Sequence, residues 1–112
     1  MTEKVKKYLF DIKLAIHLIE IFTETTSSYI AYQNDLKTQS AVERQLAIIG
    51  EALVKIKKEE KDLIIKNDKK IIGFRNRLVH AYDSIDNTIV WVVIKKYLPK
   101  LKTEVENLIL SN

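Results

Sequence analysis

Residues 73–83, with the sequence GFRNRLVHAYD, carry reactive side chains at short spacings within a segment that otherwise predicts an apolar helix. Histidine transfers protons near neutral pH because its unperturbed pKa is about 6.5, which makes His80 a candidate acid or base. The guanidinium of Arg75 offers a fixed fork of N–H donors that matches phosphate oxygens. Asn76 and Tyr82 add hydrogen-bonding groups beside them. These residue types suit proton transfer at a charged phosphate group.

Arg75 occupies an unusual position for a charged residue. At 100° per residue it falls within the apolar stripe of this helix, which is formed by Ile71, Phe74, Leu78, Ala81 and Tyr82. An unpaired buried guanidinium is very costly, so Arg75 needs a partner. A structural salt bridge to Glu43 or Glu51 is one explanation and a functional site is the other.

Arg75 and His80 lie five positions apart, which places them about 140° apart on a regular helix. They do not meet squarely within one ideal helix. Three arrangements remain open: the helix loosens near His80, the long arginine wraps around it, or the site combines groups from two chains. Asn76 and His80, four apart, share the more polar side.

The elements that position these residues are predicted to be helices throughout. Apolar residues recur every three or four positions in 4–24, 35–59 and 68–81, and again from about 86 to the C-terminus. Asp35 is the expected N-cap of the second helix, and Gly50 within it indicates close helix packing. Residues 60–68 link two helices. The β-branched run IVWVVI, 89–94, has no second strand to pair with and is therefore assigned to the last helix, which Pro99 kinks or interrupts.

The fold class that follows is all-α, an antiparallel bundle of four to five helices forming a single domain over 1–112. The chain has two glycines, one proline and no cysteine, which excludes disulfides and cysteine-based metal sites. No apolar run approaches the roughly 18 residues that span a bilayer, and the charged N-terminus lacks a secretory signal, so a cytoplasmic protein is expected. No glycine-rich phosphate loop or zinc-binding histidine pair is present, and His17 is expected on the solvent face of the first helix.

The net charge is +4, and its excess comes from lysine. Residues 55–70 hold seven lysines against four acids, and a second cluster contains Lys95, Lys96, Lys100 and Lys102. Such patches suit a polyanion, although solvated helix faces of mixed sign have the same composition.

The motif Arg75, Asn76 and His80 resembles the signature of the HEPN superfamily, whose nucleases carry an arginine, a polar residue and a histidine at this spacing. With Tyr82 two residues after His80, it resembles more narrowly the toxins of the HepT type. AVERQLAIIGEAL, 41–53, and YDSIDNTIVW, 82–91, also resemble segments of that family, so the likeness covers most of the chain.

The resemblance implies a metal-independent endoribonuclease with no cofactor, the toxin of a toxin–antitoxin pair. Arg75 and His80 would be catalytic, with Asn76 and Tyr82 in support. The partner would be an MntA-like nucleotidyltransferase antitoxin that transfers AMP onto Tyr82, and the chain would form a homodimer or higher homo-oligomer around one cleft. RNA would be the substrate, and no membrane would be involved.

Two other functions remain compatible with the sequence alone. The same fold and motif would serve a non-catalytic module that docks a nucleotidyltransferase or binds a nucleotide. A plain helical bundle with a buried arginine salt bridge is the third possibility. Arg77 is either a phosphate contact or a surface residue.

Overall fold

The computed structural model describes residues 1–80 and 85–111, with the backbone alone for Val79 and His80. The described residues form helices and no strand: α1 (Glu3–Phe22), α2 (Tyr29–Gln33), α3 (Leu36–Glu59), α4 (Lys69–His80), α5 (Asn87–Val92) and α6 (Leu98–Leu110). A π-helical segment, Val93–Tyr97, joins α5 to α6. The range 87–110, which contains α5, the π-helical segment and α6, is one continuous helical stretch. The described residues therefore form four long helices and the short α2. The prediction of an all-α bundle with four to five helices is confirmed.

Side-chain caps determine where several helices begin. The Asp35 carboxylate accepts a hydrogen bond from the Thr38 backbone N–H at 3.0 Å, which confirms the predicted N-cap of α3. Asp86 caps α5 in the same way through the N–H of Thr88 at 2.8 Å. The short helix α2 was not predicted, because its five residues are too few to show a periodic pattern.

The long helix α3 lies at the centre of the bundle, packed against both α1 and α4, while α1 also packs against α6. Its buried residues recur at helical spacing, and they include Val42, Leu46, Ile49, Leu53 and Ile56. The core is completed by Leu9, Ile12, Ile16, Ile19, Ile71, Leu101 and Val105. The apolar stripes predicted from the sequence therefore face one another, as burial of apolar area requires.

The link between α3 and α4 is held by side chains at its C-terminal end, immediately before α4. The Glu104 carboxylate of α6 accepts hydrogen bonds from the backbone N–H groups of Lys66, at 2.7 Å, and Asn67, at 3.1 Å. Lys57 forms an ion pair with Asp68 at 3.1 Å, immediately before α4. These contacts fix the position at which α4 starts.

Pro99 lies within the first two residues of α6, directly after the π-helical segment. Proline has no backbone N–H, and in a regular α-helix its ring would clash with the carbonyl group four residues earlier, that of Lys95. The wider π turn accommodates both effects. The last helix is therefore not broken at Pro99. The predicted kink or interruption is limited to this local widening, and the chain stays helical from 87 to 110.

The face of α1 opposite the core is more apolar than the sequence pattern alone suggested. Phe10, Leu14 and Ile21 are 54%, 57% and 48% exposed. His17 is exposed beside them, as predicted. No helix in the described ranges is long and apolar enough to cross a membrane.

Candidate active site

Arg75 lies where α4 crosses α3, directly over Gly50. A Cβ atom built on Gly50 would come within 2.2 Å of the Arg75 Cβ and 2.7 Å of its Cγ. Only a residue without a side chain leaves room for the arginine stem at this crossing. The close packing predicted from the mid-helix glycine is confirmed, and the group that it admits is the stem of Arg75.

The guanidinium of Arg75 is held by groups on both helices. Its Nη2 donates a short, charge-assisted hydrogen bond to Oε2 of Glu51 on α3. Its Nη1 donates to Oδ1 of Asn76 at 3.1 Å. Of the two salt-bridge partners proposed from the sequence, Glu51 is confirmed. Glu43 makes no ion pair within the described residues, and burial raises its pKa.

This salt bridge is not sealed in the core. The Arg75 side chain retains 23% exposure, and that of Glu51 retains 40%. Both line a cleft of about 450 Å³ between α1, α3 and α4, which we call the arginine cleft and which is lined by Lys7, Tyr8, Asp11, Arg44, Ala47, Ile48, Glu51, Ala52, Lys55 and Arg75. The Arg75–Glu51 pair is therefore accessible from solvent through this cleft.

The charges of the arginine cleft favour an anion. Four cationic side chains face two carboxylates, and both carboxylates are already paired, Asp11 with Lys7 at 3.0 Å and Glu51 with Arg75. Arg44 and Lys55 have no carboxylate partner in the described part of the chain. The ammonium group of Lys55 lies 5.7 Å from the centre of the Tyr8 ring, within cation–π range.

Apart from Glu51, which was predicted as a partner of Arg75, the residues of α1 and α3 that line this cleft were not singled out from the sequence. Arg44, Glu51 and Lys55 are spaced by seven and four positions, which places them on one face of a helix. That spacing was visible, but a mixed-sign helical face is ordinarily only solvated. Their significance comes from the neighbouring helix that brings Arg75 to the same face.

Of the predicted site residues, Arg75 and Asn76 are in contact through a hydrogen bond between their side chains. His80 is the last residue of α4, and its side chain lies outside the described residues, as does all of Tyr82. The expected proximity of Asn76 and His80 therefore stays a prediction. Arg77 is exposed and lines a different cleft, on the other side of α4.

Comparison with known proteins adds a family assignment. A family model described as "Ribonuclease HepT-like" matches residues 12–108. A protein of Thermococcus cleftensis named probable ribonuclease HepT is 38% identical over 109 residues, covering 96% of this chain and 98% of the relative. A protein of Methanocaldococcus jannaschii, provisionally designated an RNase, is 35% identical over 103 residues, covering 91% and 94%. No solved structure gave a significant match.

The match extends across α1, α3, α4 and α6, so it includes both helices that hold the Arg75–Glu51 pair. The resemblance suggested by the motif residues is thereby confirmed over most of the chain. The chain belongs to the HepT-like ribonuclease family.

Proposed function

We propose that this endoribonuclease acts without a metal, as the toxin of a toxin–antitoxin pair, and that a nucleotidyltransferase antitoxin silences it by adding AMP to Tyr82. The observation that carries the proposal is the position of Arg75, anchored by Glu51 and Asn76 at the edge of an open cationic cleft. A cytoplasmic location, where RNA is present, belongs to the same proposal.

Arg75 is suited to bind the phosphate that reacts. A guanidinium has five N–H donors, and the two described hydrogen bonds use only two of them. Donors aimed at a phosphate stabilise the charge that develops on its oxygens in the transition state. Glu51 fixes the orientation of the fork, so that little reorganisation is needed when RNA binds.

The reaction that suits these groups is attack by the ribose 2′-oxygen on the adjacent phosphorus. A base removes the 2′-hydroxyl proton, the P–O5′ bond breaks, and the departing 5′-oxygen takes up a proton. The products are a 2′,3′-cyclic phosphate and a 5′-hydroxyl end. We assign the proton transfers to His80, whose side-chain type has a suitable pKa, without dividing the acid and base roles between copies. Asn76 and Tyr82 support the site by hydrogen bonding.

Control by the antitoxin would act at Tyr82. The phenolic oxygen would attack the α-phosphorus of ATP, releasing pyrophosphate and leaving AMP attached through a new P–O bond. The attached nucleotide would place a bulky anion two residues from His80. It would repel the RNA backbone and obstruct the site.

A homodimer or higher homo-oligomer also belongs to the proposal. About 140° of helical rotation separates Arg75 from His80 on one regular helix, and a second copy supplies the missing group. The exposed Phe10, Leu14 and Ile21 of α1 support self-association, since they form an apolar row on the solvent side of the helix. Light scattering at several concentrations tests this, with Leu14→Glu expected to shift the mass towards the monomer.

The first experiment is an RNA cleavage assay in EDTA with the wild type, His80→Ala and Arg75→Ala, and with Lys13→Ala as a control for loss of surface charge. We expect the wild type and Lys13→Ala to cleave, with cyclic phosphate ends, and the two motif variants to lose at least about a hundredfold in rate. Circular dichroism checks that each variant folds. If His80→Ala cleaved RNA as fast as the wild type, the proposed role of His80 would be refuted. If cleavage required added metal, the proposal of a metal-independent reaction would be refuted.

The proposed addition of AMP to Tyr82 is tested separately, by coexpression with nucleotidyltransferases encoded beside the gene. Intact-mass spectrometry should show the addition of one AMP to the wild type and none to Tyr82→Phe, with cleavage lost only in the modified protein. An unmodified wild type that stays active beside every such partner would contradict the proposed modification and leave the nuclease assignment standing.

A further inference from the structure

A second cleft, of about 430 Å³, opens between α4 and the stretch formed by α5 and the π-helical segment. It shares no lining residue with the arginine cleft. We call it the tyrosine cleft, and its lining consists of Lys69, Lys70, Gly73, Phe74, Arg77, Thr88, Ile89, Val92, Val93 and Tyr97. Its volume lies within the range of roughly 300–1,000 Å³ that is typical of small-molecule sites.

Two backbone features border this cleft. A Cβ atom built on Gly73 would meet nothing within 4 Å, so this glycine, unlike Gly50, leaves empty space beside α4. On the opposite wall, Val93 and Tyr97 are the first and last residues of the π-helical segment. Single π turns inside α-helices occur frequently at functional sites.

The rim of the tyrosine cleft is cationic. Lys69, Lys70 and Arg77 line it, and no carboxylate is among its described lining residues. None of the three forms an ion pair within 1–80 and 85–111. The arginine cleft, by comparison, holds two carboxylates, so the tyrosine cleft is the less compensated of the two.

Its walls are apolar and aromatic. Phe74 and Val93 are buried at its base, while Ile89 and Val92 keep 38% and 42% exposure in its wall. The Tyr97 ring lies within cation–π distance of two ammonium groups, that of Lys70 at 5.9 Å and that of Lys96 at 5.6 Å. An apolar and aromatic wall beside fixed cations suits a planar base joined to a phosphate better than it suits a phosphate alone.

We propose that the tyrosine cleft binds one nucleotide of single-stranded RNA, with the base against Tyr97 and the apolar wall and its phosphate held by Lys70 and Arg77. The proposal rests on the nuclease function above, because it assigns a further contact to the same substrate. Arg77 follows Arg75 by two residues and points to the other side of α4. RNA that occupies both clefts would therefore cross α4 beside Arg75 and Arg77.

The test measures binding without turnover, using a fluorescent oligonucleotide in which every 2′-hydroxyl is methylated and attack is blocked. Tyr97→Leu should weaken binding by about five- to a hundredfold, whereas Tyr97→Phe, which keeps the stacking ring, should stay within about twofold. Arg77→Ala should weaken binding and reduce the slope of log affinity against log salt by about one. Lys13→Ala, on the solvent side of α1, removes the same charge outside the cleft and should have little effect.

Gly73→Leu fills the cleft without changing any charge, and it should weaken binding while leaving the helical circular dichroism intact. Free AMP and ATP are tested as competitors to distinguish a free nucleotide from one within RNA. Competition by AMP at concentrations well below those of RNA would overturn the assignment to RNA. Competition by polyglutamate as strong as that by RNA, with no effect of Tyr97→Leu, would identify an acidic-protein surface and refute the proposal.

The proposed nuclease function and the proposed RNA binding by the tyrosine cleft can be refuted independently of each other. If the wild type cleaves RNA and the cleft variants bind the methylated oligonucleotide as the wild type does, the tyrosine cleft has no part in RNA binding. If the wild type does not cleave but its binding depends on Tyr97 and Gly73, the cleft assignment holds and the nuclease chemistry is wrong.

Discussion

The close approach of Gly50 to Arg75 leads to a prediction that separates two effects of a single methyl group. In an exposed helix interior, replacing glycine by alanine stabilises the protein by about 0.5–1 kcal/mol, because glycine loses more backbone freedom on folding. At Gly50, however, the new Cβ would lie 2.2 Å from the Arg75 Cβ. Carbon atoms pack best at about 3.5–4.0 Å, so α3 and α4 would have to separate by roughly 1.3 Å or more.

Overpacking of this kind costs about 1–3 kcal/mol, which outweighs the gain in helix propensity. We therefore expect Gly50→Ala to lower the free energy of unfolding by about 1–2 kcal/mol and the melting temperature by several degrees. Gly73→Ala is the matched control, since its added Cβ would meet no atom within 4 Å. That variant should melt at a higher temperature than the wild type.

The displacement of Arg75 has a second consequence, for catalysis. A shift of about 1 Å in a positioned group can reduce the rate by about a hundredfold, so RNA cleavage by Gly50→Ala should fall well beyond its loss of folded protein. Thermal unfolding and cleavage at a temperature where both proteins are folded measure the two effects. If Gly50→Ala melted above the wild type and cleaved equally well, the crossing would not position Arg75, and the reasoning would fail.

Three further predictions concern single side chains. Glu51→Ala should lower kcat/KM for RNA cleavage by about tenfold to a hundredfold. Glu51→Gln should lower kcat/KM less, because glutamine keeps an oxygen that accepts a hydrogen bond from the Arg75 guanidinium. Equal losses in the two variants would show that the negative charge of Glu51 matters and not its orientation of Arg75. Tyr32 is buried with no hydrogen-bond partner for its hydroxyl among the described residues, and burial raises its pKa, so Tyr32→Phe should increase stability by about 1 kcal/mol in urea unfolding. Hydrogen bonds from the Thr38 side chain and backbone hold the pKa of Asp35 below its ordinary value of 3.8. The stability that ionised Asp35 contributes is therefore present above pH 3.8 and is lost as the pH falls through the lower pKa of the folded state. Acid unfolding of Asp35→Ala should lack this part of the pH dependence.

The local rules of helix formation explain how much of the fold was predictable. Apolar residues every three or four positions indicated α1, α3 and α4, and Asp35 marked the start of α3 because an N-cap is a property of neighbouring residues. Gly50 indicated a close approach between two helices, because a glycine in a helix interior destabilises the helix and close packing can offset that cost. The short α2 escaped prediction because one helical turn leaves too few residues for a period to appear.

Particular residues also show where sequence-based inference ended. Arg75 was predicted to need a partner, but Glu43 and Glu51 remained equally suitable until the crossing of α3 and α4 selected Glu51. Arg44, Lys55 and Tyr8 gained significance only when packing placed two helices beside Arg75. The tyrosine cleft was likewise invisible, because its two walls are separated by the whole segment between α4 and α5.

The sequence by itself determined the helical periodicity, the caps and the motif of Arg75, Asn76, His80 and Tyr82, because these depend on residues close together along the chain. The tertiary structure alone decided which carboxylate holds Arg75, which glycine admits its stem and which cations remain unpaired around each cleft. Those outcomes depend on the angle and distance at which distant helices pack, and no local pattern specifies them.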